Sequence, residues 1–282
     1  MTDIISGLIQ ETISGIALGC IYALIALGFT LIYKATEVVN FSQGEIMMVG
    51  AYIHFFFLNL LMSLSGGFNG WIFFLAFIGS VIFAVLFGII MDFIINKPLK
   101  GEPVFSIIMA TISLAIILRS LTAILAGPLS IIPISPFGDQ TFFLNGVVIS
   151  ILDISIIFSA IIIISSFYYF FNYTKWGIAM KATSADAEAA QLLGVPVNKV
   201  YRYVWIFASL VGVLSGIMLA PRMALIDTSM SFLGLKAFPA AILGGFGSIK
   251  GAIVGGIILG IIETVSLGTL SFHFSWIKEI ND

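Results

Sequence analysis

Charge is what this chain has least of. Only 9% of its 282 residues are Asp, Glu, Lys or Arg, where a soluble globular domain carries about a quarter. With 60% hydrophobic residues the chain cannot keep itself in water, which excludes a soluble enzyme or a free nucleic-acid binder. Twelve Lys and Arg against fourteen Asp and Glu leave a net charge of -2, so no basic patch exists to hold a phosphate backbone. Cys20 is alone, and one cysteine makes no disulfide framework. No basic residue precedes Lys34, so the charged start of a cleavable signal peptide is missing. No G-x-x-x-x-G-K-[ST] occurs; the chain has no phosphate loop, and any ATP-driven role needs a separate subunit. No serine, cysteine or metal constellation supports hydrolysis. His54 and His273 lie far in sequence from other ligand types, which gives no metal-ligand spacing. No catalytic or metal site is expected.

What the chain does have is long apolar runs. A crossing takes roughly 20 apolar residues, and runs at 12–33, 41–63, 71–95, 104–126, 147–171, 204–226 and 249–269 qualify. Their length is helical, and lone strands are excluded in lipid because every backbone group must be satisfied internally. The expectation is an all-α polytopic transmembrane bundle, one domain over 1–282, of about seven or eight spans with broken or re-entrant segments. The loops at 34–40, 96–103 and 172–203 hold Lys34, Lys97, Lys100, Lys175, Lys181, Lys199 and Arg202, seven of the twelve basic residues. Those at 64–70 and 127–146 hold none. Basic loops stay in the cytoplasm, so the N-terminus, with Asp3 and Glu11, is expected outside a cell (inner) membrane. Seven crossings put the C-terminus inside, provided the glycine-rich stretch before 249 does not cross. Pro128, Pro133 and Pro136, with Asp139, suit either a stiff external surface or a plain connector at 127–146.

Three stretches depart from simple spans. Asn40, Ser42, Gln43 and Glu45 open the second run. A carboxylate inside lipid costs roughly 2.5–3.5 kcal/mol at mid-helix and then faces a cavity or partner; near the end it is an ordinary N-terminal helix acid. Between Ser231 and Gly260 stand eight glycines and Pro239. They mark either a broken helix at a midplane site or close helix packing through Ala252, Gly255 and Gly256. In the 172–203 loop, Thr183 with Asp186 reads as a capping box and Gly194 with Pro196 as a stop. A helix over about 184–193 follows, with Ala185, Ala189, Leu192 and Leu193 on one face. So short a helix needs cover. Lying on anionic lipid suits Asp186 and Glu188 poorly, which favours a partner.

Arg119 sits deep in the fourth run and must pair, snorkel or line a wet path. Glu45 and Glu263 are its candidate partners, and helical periodicity cannot choose between them. Asp153 and Glu263 read as polar groups inside the bundle.

Tyr22-Ala23-Leu24-Ile25-Ala26-Leu27-Gly28-Phe29-Thr30-Leu31-Ile32-Tyr33, followed by Asn40-Phe41-Ser42-Gln43-Gly44-Glu45, resembles the opening signature of inner-membrane permeases of branched-chain amino-acid ABC importers. Glu188-Ala189-Ala190-Gln191-Leu192-Leu193-Gly194-Val195 resembles their coupling loop, and Lys236 to Ala252 their C-terminal signature. The likeness runs in order from about residue 5 to 269 and is greater to the first-named subunit of the usual permease pair. Family members often carry histidine where this chain has Gln43, so no titrating role is available there. They usually end in a further apolar span and an Arg-Pro-x-Gly-Leu-like tail, in place of Ser275 to Asp282 here.

The resemblance implies a permease working by alternating access, with a second permease subunit as heterodimer partner. It also implies two cytoplasmic ATPase subunits that carry the ATP, and an external solute-binding protein. No cofactor is expected in this chain; its other neighbour is membrane lipid. Asn40, Ser42, Gln43, Glu45 and Arg119 are the expected path residues. Ala185, Asp186, Glu188, Ala189, Ala190, Leu192, Leu193 and Gly194 are the expected ATPase-coupling residues. Related systems carry urea or short amides, which leaves the solute open. A self-sufficient secondary transporter or channel would explain Glu45 and Arg119 but not the exposed helix. An intramembrane enzyme lacks its catalytic residues.

Overall fold

The computed structural model describes residues 2–270 except 100, 128, 139 and 145. Lys100, Pro128, Asp139, His273 and the tail from Ser275 to Asp282 therefore lie outside the described residues.

Among the described residues ten α-helices follow one another as α1 Thr2–Thr36, α2 Gln43–Ser65, α3 Gly70–Met91, α4 Val104–Ala126, α5 Ile151–Tyr173, α6 Lys175–Ala185, α7 Ala187–Leu192, α8 Val197–Met223, α9 Met230–Gly244 and α10 Ile249–Val265. A π-type turn, Asp92–Asn96, extends α3. Among the described residues seven helices are long and apolar enough to cross a membrane, and the chain is a multi-pass membrane protein. The α4 run matches its predicted bounds of 104–126, and the second, third and seventh spans agree within a few residues; the first and sixth start earlier than read, at Thr2 rather than 12 and at Val197 rather than 204. The fifth differs: Val147–Ser150 is strand β2, paired antiparallel with β1, Thr141–Leu144. Ser150 then caps α5, its hydroxyl accepting from the Leu152 amide at 3.2 Å. An apolar β-branched run beside a turn reads as helix by hydropathy and as strand by pairing.

The bundle forms around α1, which touches α10, α8, α9 and α5. Every residue from Gly19 to Ile32 is buried. Glycine makes the α1–α10 seam: a Cβ on Gly256 would stand 2.4 Å from the Ala23 amide nitrogen, and one on Gly260 2.2 Å from that of Gly19. With no side chain between them the backbones touch. Close packing therefore accounts for Gly255, Gly256 and Gly260, and α10 is unbroken there.

The chain breaks earlier, at residues 224–229 and 245–248. α8 ends at the bare end of the bundle, away from the basic loops. α10 starts at the basic end, where Ile249 shares a small cleft with Lys34, Lys181 and Ser184. Residues 224–244 thus make an eighth traverse, although α9, at 15 residues, is too short to span alone. The glycine-rich stretch before 249 therefore does cross, so the condition for a C-terminus inside is not met: α10 runs back along α1 and ends beside its first turns, where Gly268 meets Glu11.

Residues 172–203 also differ from expectation. No single helix runs from 184 to 193. α6 ends at Ala185, and Asp186 turns extended (φ −160°, ψ 107°) to cap α7 itself, Oδ1 accepting from the Ala189 amide at 2.9 Å. Thr183 caps nothing and is buried inside α6. The stop is as read: Gly194 is left-handed (φ 84°), its amide donating to Gln191 O and that of Val195 to Ala190 O, both at 3.0 Å. These two bonds make a Schellman ending.

Candidate functional site

After α1 the chain does not stay at the basic end. Residues 37–42 turn back, and α2 starts inside the bundle. Gln43 lies against Gly28 and Gly212 and donates from Nε2 to the Ala208 carbonyl at 3.0 Å. Gly28 is eight residues short of the end of α1, about 12 Å of helix. A Cβ there would fall 2.1 Å from Gln43 Nε2, so the glycine is the notch that admits the amide. Asn40 shapes the turn, its Oδ1 accepting from the Ser42 amide at 3.1 Å and hydroxyl at 2.7 Å. An Asx turn of this kind replaces the backbone bonds that a loop inside a bundle lacks.

The first turn of α2 meets the first turn of α9. A Cβ on Gly44 would lie 2.4 Å from Ser231 O, and one on Gly234 2.3 Å from the Gly44 Cα. Two helix N-termini, one entered from each end of the bundle, thus touch inside it. Beside this contact Glu45 is almost wholly buried, and Arg119 of α4 donates from Nη2 to its Oε1 at 2.5 Å. The guanidinium also lies 4.3 Å from the centre of the Phe232 ring of α9, within cation–π range. Of the two candidate partners Arg119 takes Glu45. Glu263 instead accepts from the Tyr22 hydroxyl at 2.7 Å and from Lys236 Nζ at 2.8 Å. Asp153 pairs with Arg222, which also reaches the Ser14 carbonyl and hydroxyl. Both carboxylates tie helices together, as read.

Asn40, Ser42, Gln43, Glu45 and Arg119 are therefore one neighbourhood, the re-entrant turn and its ion pair. Asn40 Nδ2, Gln43 Oε1, Glu45 Oε2 and Arg119 Nε have no hydrogen-bond partner among the described residues. Each buried group left so costs about 1–3 kcal/mol, which makes this the least satisfied polar region of the bundle. A cavity of about 320 Å³ reaches Asn40 from the basic end between α1, α4 and α8, past Thr36, Thr111, Tyr201 and Trp205. Its volume lies within the usual range for small-molecule sites. Phe232 was missed by sequence reasoning; nothing in its local pattern points to a cation on another helix. Asp92 was missed too. It is buried under Asn96 (2.7 Å) and Arg202 (3.2 Å) at the basic end.

The α7 residues divide. Leu192 and Leu193 are 89% and 85% exposed, and Ala185, Asp186, Glu188, Ala189 and Gly194 are exposed beside them. Ala190 is buried toward the bundle, so the helix presents Ala189 and Leu192 outward and packs through Ala190.

The high-affinity branched-chain amino acid transport system permease protein LivH of Escherichia coli (strain K12) is 29% identical over 275 residues, covering 94% of this chain and 88% of LivH. BraD of Pseudomonas aeruginosa, a permease protein of the same description, is 30% identical over 262 residues, 90% of this chain and 85% of BraD. The probable branched-chain amino acid transport permease protein LivH of Methanocaldococcus jannaschii is 29% identical over 249 residues, 86% of this chain and 76% of its own length. No solved structure matches. The family model described as branched-chain amino acid transport system, permease component, matches residues 12–280, and the chain belongs to that family, as a permease subunit of an ABC transporter.

Proposed function

We propose that this chain, as one domain, forms the translocation path of an ATP-driven importer for branched-chain or related amino acids. The observation that carries the reading is the Glu45–Arg119 pair, whose carboxylate is buried where the N-termini of α2 and α9 meet. Discontinuous helices with polar groups at their junction are how transporters hold a solute site within lipid. The relatives' names support the solute class. Asn40, Ser42, Gln43, Glu45 and Arg119 line the path, which alternates between the two ends as the ion pair closes and opens.

In this reading the basic end is cytoplasmic and the N-terminus external. Residues 172–203 are the coupling loop. Leu192, Leu193, Ala185, Asp186, Glu188, Ala189 and Gly194 dock in a groove of a cytoplasmic ATPase, with Ala190 anchoring the helix from behind. Two such ATPases bind the ATP, since this chain has no phosphate loop of its own. A second permease subunit, forming a heterodimer, covers the open side where Arg119 and Phe232 remain partly exposed. An external solute-binding protein delivers the cargo to the end that includes residues 127–146.

The test is co-purification from the native membrane, then uptake in proteoliposomes offered leucine, urea and a short amide with ATP inside. Uptake of leucine that needs the ATPases and the binding protein is the expected result. Uptake by the purified chain alone would overturn it. Single cysteines in a Cys20-free variant, labelled with an impermeant reagent, test the orientation. Labelling of position 185 from outside intact cells would reverse it.

A further inference from the structure

The β1–β2 hairpin stands apart from the translocation reading. Successive strand residues point to opposite faces, and on β1 both are apolar and exposed: Phe142 at 58% and Phe143 at 78%. β2 is the inner strand. Val147 is buried, and the Val148 amide donates to Gln10 Oε1 of α1 at 3.3 Å. β1 therefore carries a phenyl ring on each face, and its outer edge has no strand partner among the described residues. The connection from α4 adds Leu129 and Ile132, also exposed, and residues 127–146 hold no Lys or Arg.

What surrounds such a ribbon follows from its height. Ser150 is at once the end of β2 and the cap of α5, so the hairpin sits directly on the end of a span. Gln10 is one turn, about 6 Å, beyond Ser14, which is bonded to the Arg222–Asp153 pair. The polar layer between hydrocarbon and water is itself about 5–7 Å deep on each side. One flat protein surface can cover only one face of a ribbon, whereas a fluid layer immerses both. The unpaired edge excludes the hydrocarbon core, where its amides would go unsatisfied, but not the headgroup layer, where water and esters serve them.

We propose that the β1–β2 hairpin is an interfacial anchor that rests among lipid headgroups, with Phe142 and Phe143 reaching toward the acyl chains. The anchor fixes the level of the whole connection, including Ile131, whose amide and carbonyl are bonded to Ile226 at the entrance to α9 (2.9 and 2.7 Å).

The full chain is placed in nanodiscs as Phe142→Trp or Phe143→Trp, and the added emission is measured over the background of the four native tryptophans. Phosphatidylcholine brominated at acyl carbons 6 and 7 should cut the added emission roughly in half at both positions, while aqueous iodide changes it little. Emission quenched by iodide and not by bromolipid, at either position, overturns the proposal and leaves the hairpin in water, open to a protein partner. If the bulkier ring disturbs the hairpin, Phe143→Cys with Cys20→Ser, carrying a nitroxide, gives a second reading. Greater accessibility to oxygen than to a water-soluble nickel chelate is expected; the reverse overturns it.

Discussion

α1 and α4 are both long apolar helices, yet they are held by opposite means. From Gly19 to Ile32 α1 has no outward face, and glycine seams bring α10 against its backbone. α4 is buried only at Thr111, Leu114, Leu118 and Thr122, a narrow stripe against α2, and its one ion pair among the described residues is Arg119–Glu45. Hydropathy makes the two look alike because lipid accepts either. The difference lies in small residues and one charge. A helix fixed by backbone contact has one position, while a helix fixed by an ion pair can take a second once the pair parts.

The sharpest way to break this contrast is Gly256→Leu. Its Cβ would meet the backbone of Ala23, which cannot move aside as a side chain would. The cost should exceed the about 1–3 kcal/mol of ordinary overpacking. No folded chain should accumulate in the membrane, as followed by fluorescence-detected size exclusion; near-normal abundance would refute the seam.

Arg119→Leu comes next. It strands a buried Glu45 charge, and breaking a buried pair costs about 3–5 kcal/mol; the exposure of Arg119, 33% of its side chain, moves the figure to the low end. Glu45→Leu should cost less, since the freed guanidinium can reach water. The double variant should regain thermal stability without regaining uptake. Equal melting shifts for the two single variants would show that the pair is not the tie.

Outside the bundle the effects on folding shrink. Gly194→Val places a β-branched residue at φ 84°, for about 1–2 kcal/mol, and should fray the end of α7 in hydrogen exchange while the spans stay protected. Ala189→Trp should leave abundance and melting unchanged, yet weaken ATPase co-purification and abolish uptake. Unimpaired uptake would remove α7 from the coupling reading.

Hydropathy made the spans legible because lipid imposes length and composition on each helix separately. It failed where pairing decides. Val147 to Ser150 became a strand only because Thr141 to Leu144 lie opposite. Residues 224–244 cross as a broken piece too short to register as a span. The polar cluster was legible as a cluster, since Asn40, Ser42, Gln43 and Glu45 are neighbours in sequence. The pairing of Arg119 with Glu45 rather than with Glu263, and the stacking of Phe232, depend on which helices adjoin, and periodicity along one helix carries no information about another. In residues 172–203 the cap lies three residues later than read, at Asp186 rather than Thr183, which splits the helix into α6 and α7 while Ala185, Ala189, Leu192 and Leu193 stay exposed.

The meeting of α2 and α9 has an electrical consequence. Each helix start carries roughly half a positive charge, and the Arg119 guanidinium balances Glu45, so the junction as a whole is positive. A small inorganic cation following the same route meets this field in a medium of low permittivity, where repulsion is weakly screened. A field set by backbone dipoles in this way persists when the side chains around it rearrange.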